Sequence, residues 1–246
     1  MAFALILAAP FVGSFLAVLV DRLPEGRPVV MARSHCASCH RQLTVVELVP
    51  LVSYVALGGR CRTCRAPIGW LAPGMEAAAL LIAIWSIAIT PAPLFLASAA
   101  LGWALLTLAV IDARETILPD VLTLPLILAG LLLAFALSAA EPLDHALGAV
   151  LGGASFWAVA AAYRLIRARE GLGLGDAKLF AAAGAWLGWA ALPSVLLIAS
   201  AAGLIAALSA RLIRGETLQA TQEIPFGPFL AAGFWLTWAY GPVSFG

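Results

Sequence analysis

Six stretches of this 246-residue chain contain no Asp, Glu, Lys or Arg: 1–20, 77–111, 121–140, 146–163, 179–210 and 224–246. A helix that crosses a bilayer needs ~20 predominantly apolar residues, and each stretch is close to that length or longer. Charged residues make up only 11% of the sequence, where a soluble domain carries about 25%. Mean hydropathy is +1.02. The fold class is therefore all-α and polytopic, in a membrane.

Two runs are too long for one crossing. The first is broken by "TPAP" at 90–93 and the second by Leu192 and Pro193. Proline ends helices and biases the residue before it away from helical geometry. Read as helical hairpins, these runs bring the expected total to eight spans. All fourteen Lys and Arg then fall on one side of the membrane, and only Glu141, Asp144 and His145 on the other. By the positive-inside rule the basic side is cytoplasmic and both termini are periplasmic. In the first run the positive charges follow the apolar residues, which is not the order of a cleavable signal peptide. The expected organisation is a first transmembrane helix at 1–20, a small cytoplasmic cysteine-rich module at 21–74 and a seven-helix membrane domain at 75–246. No internal repeat is visible.

The module holds the only four cysteines in the chain, as "HCASCH" and "RCRTCR". Each C-x-x-C turn presents two thiolates, and two such turns complete a tetrahedral S4 site of the kind zinc favours. Cys36, Cys39, Cys61 and Cys64 are the expected ligands of a structural metal, which a short segment with little core needs. Disulfides are disfavoured on the reducing cytoplasmic side, and a redox C-x-x-C lacks its βαβ surroundings. His35 and His40 flank the first pair and read as surface histidines. The seven arginines of 22–65 answer to the positive-inside effect and to anionic membrane lipid, so no nucleic acid is expected.

Two acidic sites remain. "IDARETILPD" ends the third span with Asp112, and "GLGLGDAKLF" opens the sixth with Asp176. Two whole spans separate them, out and back, so both carboxylates return to the same face at similar depth. Ionisable groups beside spans are costly unless paired or hydrated. Two carboxylates in one apolar site cannot both ionise easily, and one keeps its proton. Such a pair activates water and protonates a peptide carbonyl, which is aspartyl proteolysis. The competing readings are interfacial caps or an Asp176–Lys178 salt bridge. Asp120, after Pro119, reads as a helix cap, and Lys178 either snorkels or pairs with a dyad carboxylate. The glycines before Asp176 have no strand ahead of them, so they are not a dinucleotide loop. They suit an unwound backbone that lets a substrate strand come close.

These segments, with "GSFLAVLVDRLP", "ELVPLVSYVALGGRCRTC" and "IPFGPFLAAG", resemble the bacterial type IV prepilin peptidases, the leader peptidase/N-methyltransferase family, over nearly the whole chain. The G-x-G-D segment is shared with other intramembrane aspartyl proteases. The resemblance implies an inner-membrane enzyme that cleaves the basic leader of type IV prepilins and type II secretion pseudopilins at the cytoplasmic face. It would then methylate the exposed amino group with S-adenosylmethionine. Asp112 and Asp176 occupy the family's catalytic positions, and the four cysteines its metal-binding positions. Glu76 stands where the family often has the glutamate of "VEL", a candidate for holding cofactor or amine. Its other reading is an interfacial carboxylate at a span start. The alternatives are a peptidase that no longer methylates, or an ion-coupled transporter with a structural metal knuckle.

Overall fold

A computed structural model describes residues 1–29, 34–137, 142–167, 173–214 and 225–243. Arg33, Glu141, Arg169, Gly171, Leu172 and Ile224, which figure in the sequence reading, lie outside the described residues. The described residues form nine α-helices in chain order. They are α1 (Ala2–Arg22), the short α2 (Val52–Ala56), α3 (Leu71–Ile89), α4 (Phe95–Glu115), α5 (Asp120–Leu137), α6 (Pro142–Arg167), α7 (Leu174–Leu187), α8 (Leu192–Arg214) and α9 (Gly227–Tyr240). Two isolated β-bridges accompany them, and no strand occurs among the described residues.

Eight of these helices correspond to the apolar runs. Five are long and apolar enough to cross a membrane: α1, α3, α4, α6 and α8, where α4 and α8 are counted with their leading turns. Helix α5 is apolar but shorter. Helices α7 and α9 have 14 residues each. At 1.5 Å per residue that is ~21 Å, less than the ~30 Å of a bilayer's hydrocarbon. Helix α7 is enclosed by α5, α6 and α9, and nearly every residue from Asp176 to Trp186 is buried. Its length therefore answers to protein neighbours rather than to lipid.

The two hairpin breaks have different causes. The first falls where the prolines predict it: α3 stops at Ile89, and Ala92–Leu94 forms a single 3-10 turn before α4. The second does not. Helix α7 ends at Leu187 because Gly188 takes φ +80°, a left-handed stop that glycine adopts without a Cβ penalty. A 3-10 turn at Trp189–Ala191 follows, and Pro193 sits in the first turn of α8, where its missing N–H costs nothing.

The chain divides into two compact units, 1–107 and 108–246. In the first, α1 lies directly on α3. A Cβ at Gly13 would stand 2.5 Å from the Glu76 Cα, so only glycine permits that approach. The Trp103 indole N–H donates to the Ala79 carbonyl at 2.9 Å and ties the first part of α4 to α3.

In the second unit α6 carries Gly148 and Gly152 one turn apart, against Gly184 and Phe180 of α7. A Cβ on Gly184 would fall 2.0 Å from the Gly148 carbonyl oxygen. This is the small-residue contact by which membrane helices let backbones touch. On the other side of α7, the Trp186 indole N–H donates to Leu126 O at 2.8 Å, over the bare Cα of Gly130. The helix that begins with Asp176 is thus fixed on both flanks.

Candidate active site and metal centre

The segment 116–119 brings the acidic sites together within the second unit. Asp112 lies near the C-terminal end of α4, whose last turn closes through Thr116 N–H to Asp112 O at 2.9 Å, with Thr116 at φ 54°. The chain then turns under the start of α7. Leu118 is buried there, and its side chain occupies the space beside Gly175, where a Cβ would meet it at 2.8 Å. Gly175 therefore serves close packing by Leu118, and because it already lies within α7 the backbone is not unwound there as expected. Gly173 caps α7 with ordinary negative φ, and its carbonyl oxygen accepts the Asp176 N–H at 3.1 Å.

Asp112 and Asp176 are 6% and 9% exposed, and they lie within electrostatic range of each other. Asp112 has a second tether: the Gly227 N–H at the start of α9 donates to its Oδ2 at 2.9 Å. The "PFGP" turn at 225–228 thus grips one of the two carboxylates. Glycine is required, because a Cβ at 227 would stand 2.6 Å from that oxygen. Lys178 pairs with neither member. It bonds Asp120, the first residue of α5, and both side chains are at least one-third exposed. The proposed Asp176–Lys178 bridge is corrected accordingly. An exposed pair of this kind contributes ~1 kcal/mol or less.

The first unit contains the cysteine module. The four sulfurs lie within 4.8 Å of one another, and Cys36 Sγ is 3.8 Å from Cys64 Sγ. A tetrahedron with ~2.3 Å metal–sulfur bonds has edges of ~3.8 Å, so the donor set fits zinc and the thiols are not disulfide-bonded. The two knuckles repeat one backbone pattern, which the sequence reading missed. Cys36 N–H bonds Arg41 O and His40 N–H bonds Cys36 O; likewise Cys61 bonds Ala66 and Arg65 bonds Cys61. His40 and Arg65, each four residues after the first cysteine of its pair, take φ 55° and 59°. His40 is thus a turn residue.

Knuckle amides hold the Cys61 thiol down at about 6, through the N–H groups of Cys64 and Thr63. At Cys64 the Ala66 N–H acts in the same direction but is outweighed by desolvation and the other three sulfurs, and the thiol is pushed up to about 11. Four thiolates crowded together need a cation. Element analysis of freshly purified, reduced protein should find about one bound metal per chain, and chelation should loosen the module. A metal-free, equally protease-resistant preparation would contradict this.

Beneath the knuckles lies a cavity of about 380 Å³, lined by residues of α1, the module and α3, among them Tyr54, Cys36, Cys61 and Glu76. Glu76 is 6% exposed and accepts the Leu51 N–H at 2.8 Å. It is a buried cavity residue near the start of α3.

Residues 99–208 match the type IV leader peptidase family, and residues 7–90 match the bacterial peptidase A24 N-terminal domain. The chain is 40% identical to the prepilin leader peptidase/N-methyltransferase of Burkholderia pseudomallei, over 98% of this chain and 85% of that one. It is 39% identical to the protein of that description from Pseudomonas aeruginosa, over 96% and 89%. The Aeromonas salmonicida protein is 38% identical, over 94% and 87%. No solved structure matches.

Proposed function

Because the chain belongs to the type IV leader peptidase family, we propose that Asp112 and Asp176 are the dyad with which it cuts its substrate. The protein is an inner-membrane enzyme that removes the leader peptide of prepilins and N-methylates the product. One observation carries the assignment of the dyad: two buried carboxylates, 64 residues apart in sequence, lie within electrostatic range in an apolar helix bundle.

The chemistry follows from one shared proton. The ionised carboxylate takes a proton from water as the water oxygen bonds to the scissile carbonyl carbon. The protonated partner gives its proton to the carbonyl oxygen, and a tetrahedral intermediate forms without a covalent acyl-enzyme. On collapse the C–N bond breaks, the protonated carboxyl gives its proton to the leaving nitrogen, which becomes the new N-terminus, and the ionised carboxylate takes a hydroxyl proton from the intermediate as the product acid forms. The dyad thereby regains its one shared proton. A prepilin is itself held by an apolar helix, so a dyad at a span end meets the scissile bond at its own depth.

Methylation follows on the new amine, whose pKa of about 7.7–8.0 leaves a lone pair available after modest desolvation. S-adenosylmethionine, when bound, would supply the methyl group to that lone pair, and the amine's surplus proton would pass to water. Alternation of the basic segments supports a cytoplasmic placement for the dyad and the cysteine module, with both termini periplasmic. The four-sulfur geometry supports zinc as the structural ion, and the second class of substrate is the pseudopilins.

The test is co-expression with a prepilin, followed by mass analysis of the mature N-terminus. The expected product has lost its leader and gained the mass of one methyl group. An unmethylated product limits the enzyme to cleavage, and an intact precursor overturns the proposal.

A further inference from the structure

Segment 45–56 of the cysteine module is turned inside out. Its polar side chains face inward: Glu47, Ser53 and Tyr54 line the cavity beneath the knuckles, and Glu47 is also paired with Arg41. Its apolar side chains face outward. Val45, Val46, Val52 and Val55 are 65–83% exposed, and Trp70, at the entry to α3, is 79% exposed. Val52 and Val55 share one side of α2, three residues apart. A loop in water has the opposite arrangement, and exposed apolar groups gathered on one short segment mark an interaction surface.

The level of the segment along the spans says what covers it. Helix α3 has 19 residues and is ~28 Å long, no more than the ~30 Å of a bilayer's hydrocarbon, so its first turn stands at the hydrocarbon edge. Glu76 lies five residues further in, ~8 Å along the axis. It accepts the Leu51 N–H at 2.8 Å and holds the segment at that depth. Helix α1 gives the same level from the other side. Gly13 packs on the Glu76 Cα and precedes Arg22, the last residue of α1, by nine residues or ~14 Å.

The backbone of the segment is suited to scarce water. The N–H groups of Val49, Val52, Ser53, Val55 and Leu57 bond the carbonyls of Val46, Pro50, Val49, Leu51 and Ser53, and the Leu51 donor among them goes to Glu76. An unsatisfied amide is costly at membrane depth, and the buried Glu76 carboxylate answers the one that the turn at Leu51 leaves over.

We propose that segment 45–56 is seated in the interfacial layer of the leaflet that α1 leaves and α3 enters, with Val45, Val46, Val52 and Val55 against phospholipid acyl chains. The depth of Leu51 agrees with the ~5–10 Å to which interfacial segments sink their apolar faces. The segment is fixed on α3, whose Leu81 and Ile84, like Phe11 and Phe15 of α1, are exposed on helices long and apolar enough to cross a membrane. Trp70 stands where an interfacial tryptophan belongs. Arg60, Arg62 and Arg65, which follow the segment, are exposed and held by no ion pair among the described residues, and they suit anionic headgroups above it.

The test uses the full-length wild-type protein in vesicles of phosphatidylcholine and phosphatidylglycerol. The vesicles contain a phospholipid with a photoactivatable diazirine near the glycerol end of its acyl chain. After illumination, peptide mass should find label on 45–56 within about threefold of that on Phe15, and at least about tenfold above that on 62–65, as interfacial depth requires. Hydroxyl radicals generated in the water should leave the four valines largely unoxidised. Metal content reports that the module is folded. Lipid labelling of 45–56 no higher than that of 62–65 overturns the proposal. In that case the valines lie in water if the radicals oxidise them, and under protein, a second copy or the membrane domain, if they do not.

Discussion

Replacing Asp112 or Asp176 with Asn is expected to reduce cleavage of a prepilin in vesicles by at least ~10²- to 10⁴-fold, the range that general acid–base groups contribute. The double variant should be hardly worse than either single one, because groups that act as a unit lose their function together. Asn is nearly isosteric with Asp, so at position 112 its amide oxygen still accepts the Gly227 N–H that now bonds Oδ2 at 2.9 Å. The fold should therefore survive, as unchanged metal content and thermal midpoint would show. A rate within about tenfold of wild type for either variant would remove the dyad. The exposed neighbours Arg114, Glu115 and Asp120 offer the contrast: none is buried beside the pair, and their replacement by neutral residues should leave cleavage within a few-fold.

Much of this site is legible in the sequence because it rests on long-range bookkeeping of charge. Asp112 and Asp176 stand at the ends of apolar runs, and the number of crossings between them sends both to one face. The cysteine spacing is equally direct, since two tight turns can do little else than converge on one ion. What the sequence concealed is short-range. Gly188 stops α7 by its left-handed backbone, but beside Pro193 it looked like an ordinary apolar-run glycine. Gly148 and Gly152 form a G-x-x-x-G stripe that marks the α6 contact with α7, a signal present and not used. Gly175 looked like loop freedom before Asp176. It is a packing residue, and only the placement of Leu118 discloses that. Lys178 reads as snorkelling or as pairing with a dyad carboxylate, and it bonds Asp120 instead, which is decided by side-chain direction rather than by spacing. Glu76 was readable as a span-end charge, but its burial follows from α1 lying on α3 at Gly13, a contact between helices some sixty residues apart.

The second large effect concerns Gly227. It is the first residue of α9, and the first N–H groups of a helix have no partner within it. Here that orphan donor is spent on Asp112, so α9 and α4 hold one oxygen of the dyad between them. Gly227→Ala would place a methyl carbon 2.6 Å from Oδ2 and 2.8 Å from Cγ of Asp112. Neither distance is tolerable, and Asp112 must turn away or α9 must withdraw. A displacement of about 1 Å at a reacting group costs ~10²-fold in rate, and a loss of that order in cleavage is expected. Alanine is the better helix former by about 1 kcal/mol, which offsets part of any packing loss. The thermal midpoint should therefore move little while activity collapses, a separation that a purely structural glycine would not give. Gly74→Ala is the control: a Cβ there meets nothing within 4 Å, and cleavage should be unaffected. If Gly227→Ala cuts as fast as the wild type, the oxygen held by α9 is not one that must stay in place for water to attack, and Asp112 would have to act from a different rotamer than the one that Gly227 secures.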